Sequence, residues 1–184
     1  MAIYLNTNAA YKDFQMLSSD KYFVDKSGII EKVNERINTK NRYLCITKPR
    51  RFGKTSVLNM LGAYYGKAYP SKDIFDGLAV SQCESYEKHR NQYNVIRFSL
   101  NELSDRGNTY RDYIERFKSN ISSDIREAYP ELRDREFDSL PDLLAATKDE
   151  FIFMIDEWDY IFSHALYRDN QSDLLEFLRG LLKD

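Results

Sequence analysis

Gly53, Lys54 and Thr55 follow one another in an order that suits one kind of chemistry, the holding of a phosphate chain. They close the segment Lys48-Pro49-Arg50-Arg51-Phe52-Gly53-Lys54-Thr55-Ser56. In a phosphate-binding loop, backbone N–H groups point inward, and the following helix adds its free amides and the positive end of its dipole. Lys54 would reach the β- and γ-phosphates of a nucleotide, and the Thr55 hydroxyl would ligate Mg²⁺. A side chain at Gly53 would crowd the phosphate. The full pattern, G-x-x-x-x-G-K-S/T, begins with a glycine where this chain has Lys48. Gly-Lys-Thr by itself arises easily by chance, and the bland alternative is an ordinary helix start with a lysine in its first turn. A strand before the segment and a helix after it argue for the loop.

A phosphate loop needs carboxylates, and Met154-Ile155-Asp156-Glu157 supplies a pair directly after the most apolar run in the chain. In parallel sheets, ligands sit at the carboxyl ends of strands. Asp156 would hold Mg²⁺, commonly through water, and Glu157 would polarise the water that attacks the γ-phosphate. Taken alone, such a pair is more often a helix start whose acids complement the dipole. The loop and the acidic pair support each other, because one ion needs both.

Alternating strand-like and helix-like periods position these residues and predict an α/β domain. Tyr22-Phe23-Val24-Asp25 reads as a short extended piece, followed by a helix capped by Ser27 and running to about Asn38. Tyr43-Leu44-Cys45-Ile46-Thr47 reads as a buried strand leading into the loop, and residues 54–65 as the helix leaving it, ended by Gly66. The stretch 66–94 is the least regular. Val95 to Leu100 is the next strand, then a long amphipathic helix over 109–129 carries Tyr110, Tyr113, Ile114, Phe117, Ile121 and Ile125 on one face. A charged connector, a short helix over 140–148, the strand Phe151 to Ile155 and a last helix burying Leu174, Leu178, Leu181 and Leu182 complete the order. No internal repeat or low-complexity segment interrupts it.

The chain has 184 residues, 42% hydrophobic and 30% charged, which fits one globular domain with a core of its own. Residues 1–40 read as an N-terminal extension with a helix, and 41–184 as the loop-bearing core. The 27 basic and 29 acidic residues balance to −2, leaving no global signature for nucleic acid. A local basic cluster, Lys48, Arg50, Arg51 and Lys54, is better explained by nucleotide. Tyr and Phe are abundant, 14 and 11, and read mainly as packing. Cys45, Cys83, His89 and His164 form no disulfide or zinc pattern. With no signal-peptide pattern and no apolar run near the roughly 20 residues of a membrane span, a reduced cytoplasmic protein is expected.

The residues resemble the prokaryotic AAA-ATPase-like family. Lys48-Pro49-Arg50-Arg51-Phe52-Gly53-Lys54-Thr55 is similar to its R/K-P-R-R-F-G-K-S/T loop, which itself lacks the first glycine. Tyr22-Phe23-Val24-Asp25-Lys26-Ser27 resembles its Y-Y/F-V-D-K-S/T segment, and Phe75-Asp76-Gly77-Leu78 its F-x-G-L turn. Ile155-Asp156-Glu157-Trp158-Asp159 resembles its I-D-E-Y-D, with Trp158 in place of Tyr. The resemblance implies a P-loop NTPase with a three-layer α/β/α fold around a mainly parallel sheet, and ATP with Mg²⁺ as ligands. Family members often carry a C-terminal restriction-endonuclease-like domain, through which alone nucleic acid would enter. It also implies a further strand, placed centrally between those ending at Thr47 and Ile155, and the chain is expected to be the N-terminal portion, lacking the C-terminal core strands. Either the two motif strands pair directly, or another chain fills the gap, or the sequence is a fragment.

Weaker expectations attach to single residues. Arg50 and Arg51 could brace phosphate, reach a neighbouring subunit's nucleotide, or pair with surface carboxylates. Tyr22 and Phe23 lie where related ATPases hold the adenine, although an aromatic pair is more often core. Ser99 and Asn101 could hold Glu157 in an inactive pose. Two functions remain in view. One is an ATP-hydrolysing module, which Glu157 favours. The other is a truncated or degenerate loop that binds nucleotide or a partner, another protein or another copy, without turnover.

Overall fold

The periods of the sequence resolve into two short strands and a set of helices in a computed structural model that describes residues 2–47, 49, 51–102, 110–163 and 171–182. In chain order the elements are α1 (Ala9–Ser18), α2 (Ile29–Asn34), α3 (Lys54–Tyr65), α4 (Lys72–Phe75) and α5 (Tyr86–His89), then β1 (Asn94–Ser99) and α6 (Tyr110–Ala128). They continue with α7 (Leu140–Ala146), β2 (Phe151–Asp156), α8 (Tyr160–Ser163) and α9 (Gln171–Leu182). The chain is mixed α/β, and β1 and β2 pair in parallel as a two-stranded sheet. It divides into two compact units, Asn6–Val95 and Met1–Leu5 with Ile96–Asp184, so the dividing point falls inside β1. Among the described residues no helix is long and apolar enough to cross a membrane.

In the unit Asn6–Val95, α3 is buried along most of its length from Val57 to Tyr65. Aromatic rings build this core: Phe14 of α1 stacks on Phe75 at 5.0 Å, and Tyr64 meets Phe75 edge-on at 5.5 Å. Buried Asn34 is satisfied on both sides of its amide, accepting from the Tyr65 hydroxyl at 2.6 Å and donating to Ser85 Oγ at 2.9 Å. Gly66 ends α3 as expected, turning to extended backbone with ψ 122°, and a Cβ there would lie 2.8 Å from the Gly62 carbonyl oxygen, which favours glycine at this position. The irregular stretch after it is pinned by one side chain. Asn91 donates to the carbonyls of Gly66 and Tyr69 and accepts from the Ser71 amide and hydroxyl.

In the other unit, the face of α6 read from the sequence is the core. Phe117, Ile121 and Ile125 are essentially inaccessible and pack with Ile96, Phe98 and Leu100 of β1 and its exit. Alternate residues of β2, namely Phe151, Phe153 and Ile155, lean on this cluster, and α9 adds Leu174 and Leu181. Leu5 bridges Ile96 in antiparallel fashion, and the Arg97 amide donates to the Tyr4 carbonyl at 3.1 Å. Asp124 of α6, 4% exposed, fixes this segment by accepting the N–H groups of Ile3, Tyr4 and Leu5 at 2.7–3.0 Å.

Two expectations are corrected and one helix is added. Residues 43–47 form no strand: they take part in no ladder among the described residues, and Tyr43 and Leu44 are half exposed. An apolar run becomes a buried strand only where a neighbour completes its hydrogen bonds. The helix after Ser27 is also shorter than expected, ending at Asn34, and Gly28 rather than Ser27 stands at its N-cap. Helix α1 has no counterpart in the sequence reading, because only Ala10 and Phe14 of its length are buried and its apolar face is thin.

Candidate functional site

The loop residues lie in the unit Asn6–Val95. Pro49 and Arg51 are exposed, and Phe52 is 62% exposed with its N–H donated to the Pro49 carbonyl at 3.3 Å, closing a tight turn. Lys48 and Arg50 lie outside the described residues. Arg51 has φ +67° and Gly53 φ +78°, both left-handed. Gly53 is the N-cap of α3, and its carbonyl accepts the Val57 N–H at 3.0 Å. The leading amides of a helix have no acceptor within it, so those of Lys54 and Ser56 stand at the positive end of a 12-residue dipole. Among the described residues no side chain caps this end, and no acidic residue stands in its first turn. Lys54 and Ser56 are half-buried, while Thr55 is exposed.

That is the donor set an anion requires: amides, hydroxyls, an ammonium and a glycine that lets an oxyanion approach the backbone. Among the described residues no ion pair compensates Lys54 at this helix start. Phosphate fits it; a cation would not, except when carried by the phosphate itself.

The acidic residues lie in the other unit. Asp156 is the last residue of β2, at the carboxyl end of the parallel pair, and is half-buried. Its Oδ1 accepts the N–H of Glu157 at 3.0 Å, a turn that brings the chain out of the strand. Glu157 follows with φ +49°, a left-handed conformation that costs an L-residue energy and is concentrated at functional positions. Its carbonyl accepts from Tyr160 at 3.0 Å and begins α8. Trp158 is 44% exposed, edge-on to Phe162. Among the described residues no cluster of three or more His, Cys, Asp or Glu side chains converges as a metal site.

Ser99 Oγ donates to Asn101 Oδ1 at 2.7 Å, so these two residues at the end of β1 bond to each other. Among the described residues neither is hydrogen-bonded to Glu157, and the contact expected of them is not formed. Tyr22 is 82% exposed and Phe23 packs edge-on against Phe14, a core role for one and none for the other.

Sequence reading missed how the upstream motif is held. Asp25 accepts from the Ala79 amide at 2.7 Å and the Ser27 amide at 2.8 Å, and buried Ser27 accepts from the Val80 amide at 3.1 Å. Burial pushes the Asp25 carboxyl up, but the Ala79 amide and the Ser27 hydroxyl and amide outweigh it and hold the pKa below the ordinary 3.8. The signal was present as Asp25 and Ser27 flanking Lys26, with the Phe75-to-Leu78 turn downstream. Nothing in the sequence said that the two would meet.

Neither the curated proteins nor the solved structures contain a match to the chain. A family of proteins described as predicted AAA-ATPase matches residues 9–184, nearly the whole length. That span includes the loop at the head of α3, the segment around Asp25 that is tied to the 75–80 turn, and the acidic pair at the end of β2. The chain therefore belongs to the predicted AAA-ATPase family.

Proposed function

We propose that the chain binds ATP with Mg²⁺ and hydrolyses it. The observation that carries this reading is Gly53, left-handed at the head of a 12-residue helix with Lys54 and no acid in its first turn, in a chain of this family. Gly53 admits the phosphate chain to the backbone, Lys54 donates to its β- and γ-oxygens, and the amides of Thr55 and Ser56 complete the cradle. Lys48, Pro49, Arg50, Arg51 and Phe52 form the remainder of the loop. The Thr55 hydroxyl and Asp156 are assigned to Mg²⁺, and this pairing is supported by the family and the order of the motifs. Magnesium, when bound, neutralises charge on the β- and γ-phosphates. Glu157 accepts the proton of the attacking water, as a general base. With this goes the three-layer α/β/α arrangement, of whose mainly parallel sheet β1 and β2 would form part. ATP over other nucleotides rests on the family resemblance.

A second reading, binding without turnover, is favoured by residues 43–47. The run that leads into the loop is exposed and unladdered among the described residues. On that reading a second copy or a partner protein completes the sheet, and the chain alone is a binding module. Phosphate release separates the two. Hydrolysis predicts Mg²⁺-dependent release that Glu157→Gln abolishes while ATP binding is kept. Binding without turnover predicts no release above a Lys54→Ala control, with ATP binding intact in the unmutated protein.

A further inference from the structure

Lys26 lies between two anchored neighbours. Asp25 on one side holds the amide of Ala79, and Ser27 on the other, fully buried, holds the amide of Val80. The carbonyls of Lys26 and Ser27 accept from Ile29 and Ile30, so the backbone through this residue is fixed in both directions. Its side chain, by contrast, is exposed. It reaches the phosphate loop: a Cβ on Gly53 would lie 3.4 Å from Lys26 Nζ, the nearest atom to that position. An ammonium group thus stands over the loop glycine, beside the amide end of α3, where the first turn holds a second ammonium and no carboxylate. Among the described residues no ion pair compensates it.

Like charges gathered at the positive end of a helix repel one another and the dipole, so the arrangement is favourable only when an anion sits among them. Fixing the backbone on both sides reduces the entropy lost when the side chain binds. We infer that Lys26 is a second phosphate-binding lysine of this loop, with the polyphosphate chain of a nucleotide as its ligand. The inference rests on the nucleotide-binding reading above and extends it to a residue 27 positions upstream of the loop glycine. The flanking residues gain a role with it, since Asp25 and Ser27 tie the segment to the 78–80 turn, and that tie presents Lys26.

The test is calorimetric titration of the full chain with MgATP, MgADP and AMP, for the unmutated protein and for Lys26→Met, Lys26→Arg and Lys54→Ala. Lys26→Met is expected to weaken MgATP at least tenfold and MgADP less, to leave AMP unchanged, and to lower the salt dependence of ATP binding. Lys26→Arg should restore most of the loss. Since the side chain is exposed, the thermal midpoint of Lys26→Met should match that of the unmutated protein. Unaltered MgATP affinity in Lys26→Met, with binding lost in Lys54→Ala, would overturn the inference and leave the nucleotide-binding reading standing. Equal weakening of all three nucleotides would also overturn it, since that marks a structural effect. No binding by the unmutated protein would remove the reading beneath it and the inference together.

Discussion

Gly53 and Glu157 share a backbone property and differ in what it means. Both have positive φ, +78° and +49°, but only the glycine is at ease there. Replacing Gly53 by Ala should cost about 1–2 kcal/mol of stability from backbone strain alone. It should also bring a methyl group to 3.4 Å from Lys26 Nζ, in the space an oxyanion would use. Urea unfolding of Gly53→Ala reads the first effect and nucleotide titration the second. Glu157 is the reverse case, a strained acid where a glycine would be relaxed. Glu157→Gln leaves the backbone alone and should lower phosphate release by about 10²–10⁴-fold, the usual contribution of a general base, with ATP affinity kept within about threefold. The sequence made Gly53 legible because its type and neighbours name a chemistry. It did not make Lys26 legible, since a lysine in a loop is ordinary until a distant residue is found beside it.

Among the elements, residues 43–47 carry the largest departure from the sequence reading. The run has the composition of a buried strand, yet Leu44 is 50% exposed. Leu44→Ser should therefore change stability by no more than about 0.5 kcal/mol, where truncating a buried leucine would cost about 2–5 kcal/mol. Composition records what a segment could bury and says nothing of whether a neighbour strand is there to pair with it. The opposite holds for α6, whose period of three and four marked its C-terminal end and buried face, because an amphipathic helix satisfies its own hydrogen bonds. What the period could not show is that Asp124, on that helix, gathers the amides of Ile3, Tyr4 and Leu5. Asp124→Ala would strand the buried Leu5 donor and loosen the part-buried ones of Ile3 and Tyr4, and should cost about 1–3 kcal/mol, with faster hydrogen exchange at residues 3–5. The tie at Asp25 has a pH signature. Its folded pKa lies below 3.8, so its contribution is present above that value and is lost as pH falls through the lower, folded one. Acid unfolding of Asp25→Asn should accordingly be less steep below about pH 4 than that of the unmutated protein.

At the scale of the whole molecule, the chain is mixed α/β, belongs to the predicted AAA-ATPase family, and divides into two compact units. The loop residues belong to one unit and the acidic pair to the other. The α/β class and the order of most elements were readable from alternating periods. The division was not, because it cuts β1 between Val95 and Ile96, two adjacent apolar residues that give no compositional sign of a boundary. The small sheet was not readable either, since residues 43–47, expected as one of its strands, take part in no ladder among the described residues. Everything proposed for the molecule stands on the loop at the head of α3 being a working phosphate site. Calorimetric titration of the purified chain with ATP and Mg²⁺, beside Lys54→Ala, reads this without intermediate steps. Saturable binding to the unmutated protein, weakened at least tenfold in Lys54→Ala, is the expected result. A folded protein that binds no ATP, or a Lys54→Ala variant that binds it equally well, would show that the loop is not a phosphate site.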